Sequence, residues 1–397
     1  MSFEKIINGL KKIKKCLKTS VGLGIVGAGL ASGIAKAENL KYEITKIDEI
    51  DSPTDLLHIN NGGEIIRRGP LIVYKNGLKT PLPEGNYWVR GINNNRGDIL
   101  ASGGPISVVY RLGEKIELDF EGYDINNGIN RYTSGLGEIY GNVVGENYLY
   151  TLGSNIKWDL EKILNAQNFI AFLINDREQI AGKAEIIRNG QLVNCLVRYA
   201  PFGVFPYIPK PGPFPPPPKP ELIELEKDPN YPNNWNYMLN SINYKGQIAG
   251  GYYTGGGFLI TEYACMWDKN GKLKRLDAYP YPYNVAYAIN DNEQIVGRNH
   301  DREMYAFQTE SYAILWQNGK AINLDEVIPD NSPFIHLKGA CDINNKGQIV
   351  GIGKTTENKI AIFLMTPIPQ PSPDLNEDGI VNLEDLAELS GRWLEEN

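Results

Sequence analysis

Beyond residue 40 the apolar positions fall in short runs broken by Asn, Gly, Asp and Pro, and one arrangement recurs along the chain. An apolar strand ends in Ile-Asn, a short polar turn follows, and an acid or Gln then precedes Ile and usually a small residue and Gly. The marker stands at Ile59-Asn60, Ile92-Asn93, Ile125-Asn126, Ile174-Asn175, Ile242-Asn243, Ile289-Asn290 and Ile343-Asn344. The clearest copies read SINYKGQIAG, AINDNEQIVG and DINNKGQIVG. Most are followed by a strand with an aromatic just before a Gly turn: Tyr74, Tyr110, Tyr150, Trp267 and Trp316. A last short strand often ends in Leu-Asp, as at Leu118-Asp119, Leu276-Asp277 and Leu324-Asp325. The pattern predicts four strands per unit, a to d. Asn and Gly at the first reversal are expected because both tolerate positive φ.

A sheet of this kind cannot bury both faces alone, so the units must stack. The markers lie 33 to 68 residues apart. That spacing fits four-stranded blades with loop insertions around an axis better than an open β-solenoid, whose periods are shorter and more uniform. The predicted fold is all-β, a seven-bladed β-propeller over 38–366. The seventh unit ends at Ile360–Leu364, its third strand, while Tyr42–Ile47 is an orphan strand ahead of the first marker. The orphan is expected to complete the last sheet and close the ring. The proline-rich tract 201–220 falls between strands c and d of unit four and reads as a stiff surface excursion. A second proline run, 367–373, reads as a linker, because the repeat has ended and a new pattern begins.

Residues 1–37 follow another logic. Lys5, Lys11, Lys12, Lys14, Lys15 and Lys18 precede an apolar run from Val21 to Ala35, and Ala35-Lys36-Ala37 offers an A-x-A cleavage site. This is the order of a secretory signal peptide, with an apolar run too short to span a bilayer comfortably. The expected location is secreted or at the cell surface. Gly22-Leu23-Gly24-Ile25-Val26-Gly27 satisfies G-x-G-x-x-G, but a dinucleotide site needs a strand before it and a βαβ unit around it. Cleavage after Ala37 leaves 33 basic and 46 acidic residues, net −13, which disfavours nucleic acid as a partner. Cys195, Cys265 and Cys341 remain in apolar runs and read as buried free thiols.

The repeat motif resembles the extracellular HAF repeat family, whose units read A-x-x-I-N-x-x-G-Q-I-V-G followed by an aromatic strand. The likeness covers residues 40–366 and is strongest in units five to seven; unit one, INNGGEII, lacks the closing small-Gly pair. The resemblance implies an exported β-repeat protein and no particular reaction.

The carboxyl terminus carries a calcium-loop pattern. Asp374, Asn376, Asp378, Asn382 and Asp385 supply oxygens at loop positions 1, 3, 5, 9 and 12, Ile380 offers its carbonyl, and Gly379 permits the turn. Calcium is the expected cofactor. With Asp385 at the last position the segment 374–397 resembles one half of a dockerin, followed by a helix over 383–394. A dockerin carries two such loops, so a sorting or attachment tag is weighed equally with cohesin docking.

Elsewhere the chemistry is sparse. His58, His300 and His336 sit in different units, and Gly255-Gly256-Gly257 lacks the Lys-Ser/Thr of a phosphate loop. No spacing singles out an acid/base pair. The loops from strand d to the next strand a carry Tyr87, Trp88, Tyr123, Tyr231, Trp235, Tyr237, Tyr279, Tyr281 and Tyr283. Aromatic rings beside Asn and Asp suit stacking on sugars or proteins, unless they pack between blades. The first functional reading is a non-enzymatic interaction scaffold binding a glycan or a cell-surface protein, with a calcium-dependent tail. The alternative is a glycan-active, polysaccharide-degrading enzyme delivered by that tail. An acid pair in the central channel would favour the enzyme.

Overall fold

The computed structural model describes residues 40–368 except 51–56, 68–71, 83–87, 93–96, 103–106, 112–113, 120–121, 123, 126–141, 146, 152–155, 165–166, 178, 201–220, 233–235, 257–258 and 302–309. Residues 1–37, expected to be a signal peptide, and 374–385, expected to be a calcium loop, lie outside the described residues.

The described strands pair into seven four-stranded sheets, each antiparallel and in chain order except the last. The blades span 57–81, 88–118, 124–159, 167–224, 237–275, 283–323 and 334–367. Blade seven supplies only three strands of its own. The fourth is Tyr42–Glu49, which pairs with Ile360–Pro367 from Tyr42 opposite Pro367 to Glu49 opposite Ala361. The expected closure is therefore present. The 201–220 excursion leaves strand c of blade four, Gln191–Ala200, and returns at strand d, Glu221–Glu224.

Seven apolar clusters lie between the blades, one at each interface. Leu173 and Leu196 of blade four meet Tyr237, Ile248 and Trp267 of blade five. Ala249 and Ala264 of blade five meet Ala286, Ile295 and Trp316 of blade six. Val296 and Leu315 of blade six meet Leu337, Ile349 and Phe363 of blade seven, together with Tyr42. Val350 and Ile362 of blade seven meet Leu57, Ile65 and Tyr74 of blade one, so the ring returns on itself. Successive residues such as Ile295 and Val296, or Ile314 and Leu315, enter opposite clusters. Both faces of each sheet are buried, which is why strands b and c read as continuous apolar runs instead of alternating ones.

The strand-c aromatics are core residues with anchored polar tips. Trp267 Nε1 donates to Glu226 O and Trp316 Nε1 to Asp277 O, both at 2.7 Å. Tyr74 donates to Asp48 Oδ2 at 2.6 Å. In each case the partner belongs to the preceding blade or its exit. Leu276 and Leu324, expected on strand d, lie just past it and are buried there. Arg198, buried in blade four, donates to Gly246 O and Lys269 O, bracing two turns of blade five.

Candidate functional site

The repeat motif itself explains the channel wall. Asn60, Asn175, Asn243, Asn290 and Asn344 each follow strand a. Each Oδ1 accepts from the backbone N–H four residues on, at 2.9–3.0 Å. Each Nδ2 donates to the side chain of that same residue, Glu64 in blade one and Gln179, Gln247, Gln294 and Gln348 elsewhere. Four of them also reach the next blade: Asn175 donates to Asn243 O, Asn243 to Asn290 O, Asn290 to Asn344 O and Asn344 to Asn60 O, at 2.7–3.1 Å. The marker Asn is thus an inter-blade clamp, not a turn residue chosen for its backbone. Positive φ falls instead on Gly63, Gly97, Gly246, Gly347 and, in blade six, Glu293.

Two flanking layers repeat the device. Asn345 N donates to Asn61 Oδ1, Asp291 N to Asn345 Oδ1 and Tyr244 N to Asp291 Oδ1. On the other side Ile59 N donates to Asp342 Oδ2 and Ile289 N to Ser241 Oγ.

The motif's Gly has a different cause. Strand a is bulged two residues before its terminal Ile in blades two, four, five, six and seven, at Arg90, Phe172, Asn240, Tyr287 and Cys341. In blades four to seven the bulge presses strand a onto strand b, whereas bulged blade two accommodates Ala101 at the same position. A Cβ at Gly182, Gly250, Gly297 or Gly351 would fall inside the envelope of the carbonyl of Ile170, Met238, Val285 or Gly339. Blade one has Arg67 at this position, and its strands a and b pair without a shift. Bulges re-aim side chains, and Arg90, Asn240, Tyr287 and Cys341 all line the central channel, a cavity of about 200 Å³.

The aromatic loop residues divide. Tyr87, Tyr123 and Trp235 lie outside the described residues, and Trp88 opens strand a of blade two with its side chain outside them. Tyr237 is buried among Tyr252 and Trp267, and Tyr231 packs on Tyr252 at 5.8 Å between centroids. Those two rings serve packing. Tyr279, Tyr281 and Tyr283 are half-exposed. Tyr281 lies 5.7 Å from Tyr312, whose ring meets His336 edge-on at 4.9 Å. Tyr283 stacks on His300 at 5.7 Å. Acids surround the group: Tyr281 donates to Glu310 at 3.3 Å and Tyr279 to Glu326 at 3.0 Å, and the Glu326 carboxylate holds the Tyr279 phenol above its ordinary pKa. Tyr312 and His336 come from strands c and a of successive blades, so no sequence spacing links them to the loop tyrosines.

Each histidine meets one carboxylate. His336 Nδ1 is 2.6 Å from Asp325, His300 Nε2 is 3.1 Å from buried Glu262, and His58 Nδ1 is 3.6 Å from Asp342. Among the described residues no group of three or more His, Cys, Asp or Glu side chains is placed to hold a metal ion. Cys195, Cys265 and Cys341 are free thiols, and burial pushes the Cys195 thiol up to about 11. No described helix is long and apolar enough to cross a membrane.

No protein-family model matches the chain. No curated protein is significantly similar to it in sequence. Among solved structures it is similar to a gluconolactonase from Xanthomonas campestris, at 8% identity and a TM-score of 0.38, over 87% of this chain and 99% of that one.

Proposed function

We propose that this protein is an exported, non-enzymatic propeller of the HAF-repeat type whose open face around blade six binds glycans, and whose calcium-loop tail attaches or sorts it. The observation that carries this reading is the half-exposed cluster of Tyr281, Tyr312 and His336 rimmed by Glu310 and Asp325. Aromatic faces take the C–H faces of a sugar ring, and adjacent carboxylates accept its hydroxyls. The channel favours a scaffold over an enzyme. Two of its three lining acids, Asp291 and Asp342, accept from backbone and amide donors of neighbouring blades, and the third, Asp176, stands apart on blade four.

A glycan array probed with the mature chain tests the reading. Binding should be lost in Tyr281→Ala and in Tyr312→Ala with melting temperature held near wild type. Absence of any bound glycan, or undiminished binding in both variants, would overturn it. One observation favours the enzymatic alternative: Asp325 fixes His336 beside the rings. Under that alternative the bound glycan is cleaved, and Asp325→Asn abolishes cleavage while retaining binding.

A further inference from the structure

The blade-six face is unbalanced both in charge and in hydrogen-bonding groups. It forms one continuous strip: Glu310 meets Tyr281, Tyr281 lies beside Tyr312, Tyr312 meets His336, and His336 meets Asp325. Tyr279, two residues from Tyr281, adds Glu326. The donors of the strip are spent on its own carboxylates. The Tyr281 hydroxyl donates to Glu310 and the Tyr279 hydroxyl to Glu326. Asp325 Oδ1 accepts from Leu337 N at 2.7 Å, and Asp325 Oδ2 lies 2.6 Å from His336 Nδ1. A carboxylate only accepts, so Nδ1 carries the proton, and the neutral ring keeps Nε2 as an acceptor. Acceptors are in surplus. Glu310 is exposed and receives one long bond, 3.3 Å, at one of its two oxygens. Glu326 is exposed and receives a single side-chain bond, from Tyr279. No described Lys or Arg forms an ion pair with Glu310, Asp325 or Glu326, and Lys354, opposite His336 in the strand ladder, pairs with none of them.

We propose that this strip selects glycans carrying free, cationic amino groups, as glucosamine residues do, over neutral and N-acetylated ones. The inference rests on the glycan reading above and adds the charge of the sugar to it. An ammonium group has three donors and no acceptor, the complement of a strip whose own donors are spent. Its charge meets the carboxylates of Glu310 and Glu326, and hydrogen bonds between ionised partners are the strong ones. The faces of Tyr281 and Tyr312 attract the same cation through their ring quadrupoles. A neutral sugar hydroxyl is donor and acceptor at once, and its acceptor side finds no free donor in these side chains. N-acetylation removes the charge and adds a carbonyl acceptor, and a uronic acid brings a carboxylate that the strip repels.

Calorimetry of the full-length protein with the glucosamine tetramer and its fully N-acetylated form tests this, in mildly acidic buffer where the sugar amines are protonated and Glu stays ionised. The glucosamine form should bind about tenfold more tightly, the combined value of one exposed charge pair and one cation–π contact. Glu310→Gln keeps the acceptor for Tyr281 and removes the charge. It should weaken the glucosamine tetramer about fivefold and leave the acetylated one unchanged. Glu117→Gln, at an exposed acid of blade two paired with Lys115, removes the same charge elsewhere and should change neither. Equal or tighter binding of the acetylated tetramer, or a Glu310→Gln protein that keeps the full preference, would overturn the amine proposal and leave the glycan reading in place. Spermidine binding as tightly as the glucosamine tetramer would mark plain charge attraction and overturn it too. Silence from both tetramers while other glycans bind on an array overturns the amine proposal alone, and silence from every glycan overturns both.

Discussion

Replacing Asn290 isolates the clamp. Its side chain accepts from Asn292 N and Gln294 N, both at 3.0 Å, and donates to Gln294 Oε1 at 2.8 Å and Asn344 O at 3.0 Å. Asn290→Ala strips all four bonds. The turn donors and Gln294 sit where water can reach them, so their loss costs little beyond the net value of a bond, about 1 kcal/mol. The Asn344 carbonyl belongs to a residue only 3% exposed but keeps its bond from Gly347 N, so losing the Asn290 donor costs the net value of one bond, about 1 kcal/mol. Together these give an expected loss of about 2 kcal/mol, read by urea unfolding. Asn290→Asp separates the two halves of the clamp. It retains the acceptor for Asn292 and Gln294 but points a carboxylate at the Asn344 carbonyl. That repulsion raises the folded-state pKa above the free value of about 3.9, so the penalty is small below about pH 4. It grows as pH rises to the raised value and is constant above it. Lys245→Ala, which removes an exposed pair with Glu293, serves as the control and should cost under about 1 kcal/mol. An Asn290→Ala protein within about 0.5 kcal/mol of wild type, or an Asn290→Asp penalty flat from pH 3 to 8, would refute the clamp.

Tyr42 is 2% exposed and its hydroxyl has no partner among the described residues, so Tyr42→Phe should leave stability unchanged or raise it by up to about 1 kcal/mol. A loss larger than that in urea unfolding would reveal an acceptor. Burial opposes ionisation of Asp48, but hydrogen bonds from Lys79 and Tyr74 outweigh it and hold its carboxyl below the ordinary range. Its contribution is therefore present above the unfolded pKa of about 3.9 and lost as pH falls through the folded value. Asp48→Asn should flatten that part of the acid limb, and an unaltered limb counts against the pairing. Calcium added to the full chain should bind with Kd on the order of 10⁻⁴–10⁻³ M in calorimetry and leave the propeller's melting temperature unchanged, with binding abolished in Asp374→Ala. Equal binding in that variant would remove the loop at 374–385 from the account.

The seven units, the four-strand blade and the closing strand could be read in the sequence because each is a local apolar pattern punctuated by turn residues. The reason for Ile-Asn-x-x-Gly-Gln could not. The bond from Asn344 to Asn60 joins residues 284 positions apart, and the motif looks the same whether Asn serves its own turn or the next blade. The Gly after Gln-Ile-Val was visible as a letter, but the strand-a carbonyl that crowds it in blades four to seven lies on a different strand. The loop tyrosines were visible, yet burial separates Tyr237 from Tyr281, and Tyr312 and His336 join the latter only through blade packing.

The seam in blade seven also dictates an order of assembly. As the chain lengthens from its amino end, Tyr42–Glu49 has nothing to pair with until Ile360–Pro367 exists, some three hundred residues later. Blades one to six can each zip up locally, but the seventh must capture the oldest strand of the chain. The entropy of that capture grows only with the logarithm of the intervening length and falls further once the other blades are folded. Ring completion should therefore be the final folding event, with two unpaired edges open to another chain until it occurs. Unfolding should retrace the path, with amide exchange fastest along this ladder. A circular permutant that joins residues 368 and 40 through a short linker and opens the chain within 201–220 would make the seam covalent and move the last step to blade four.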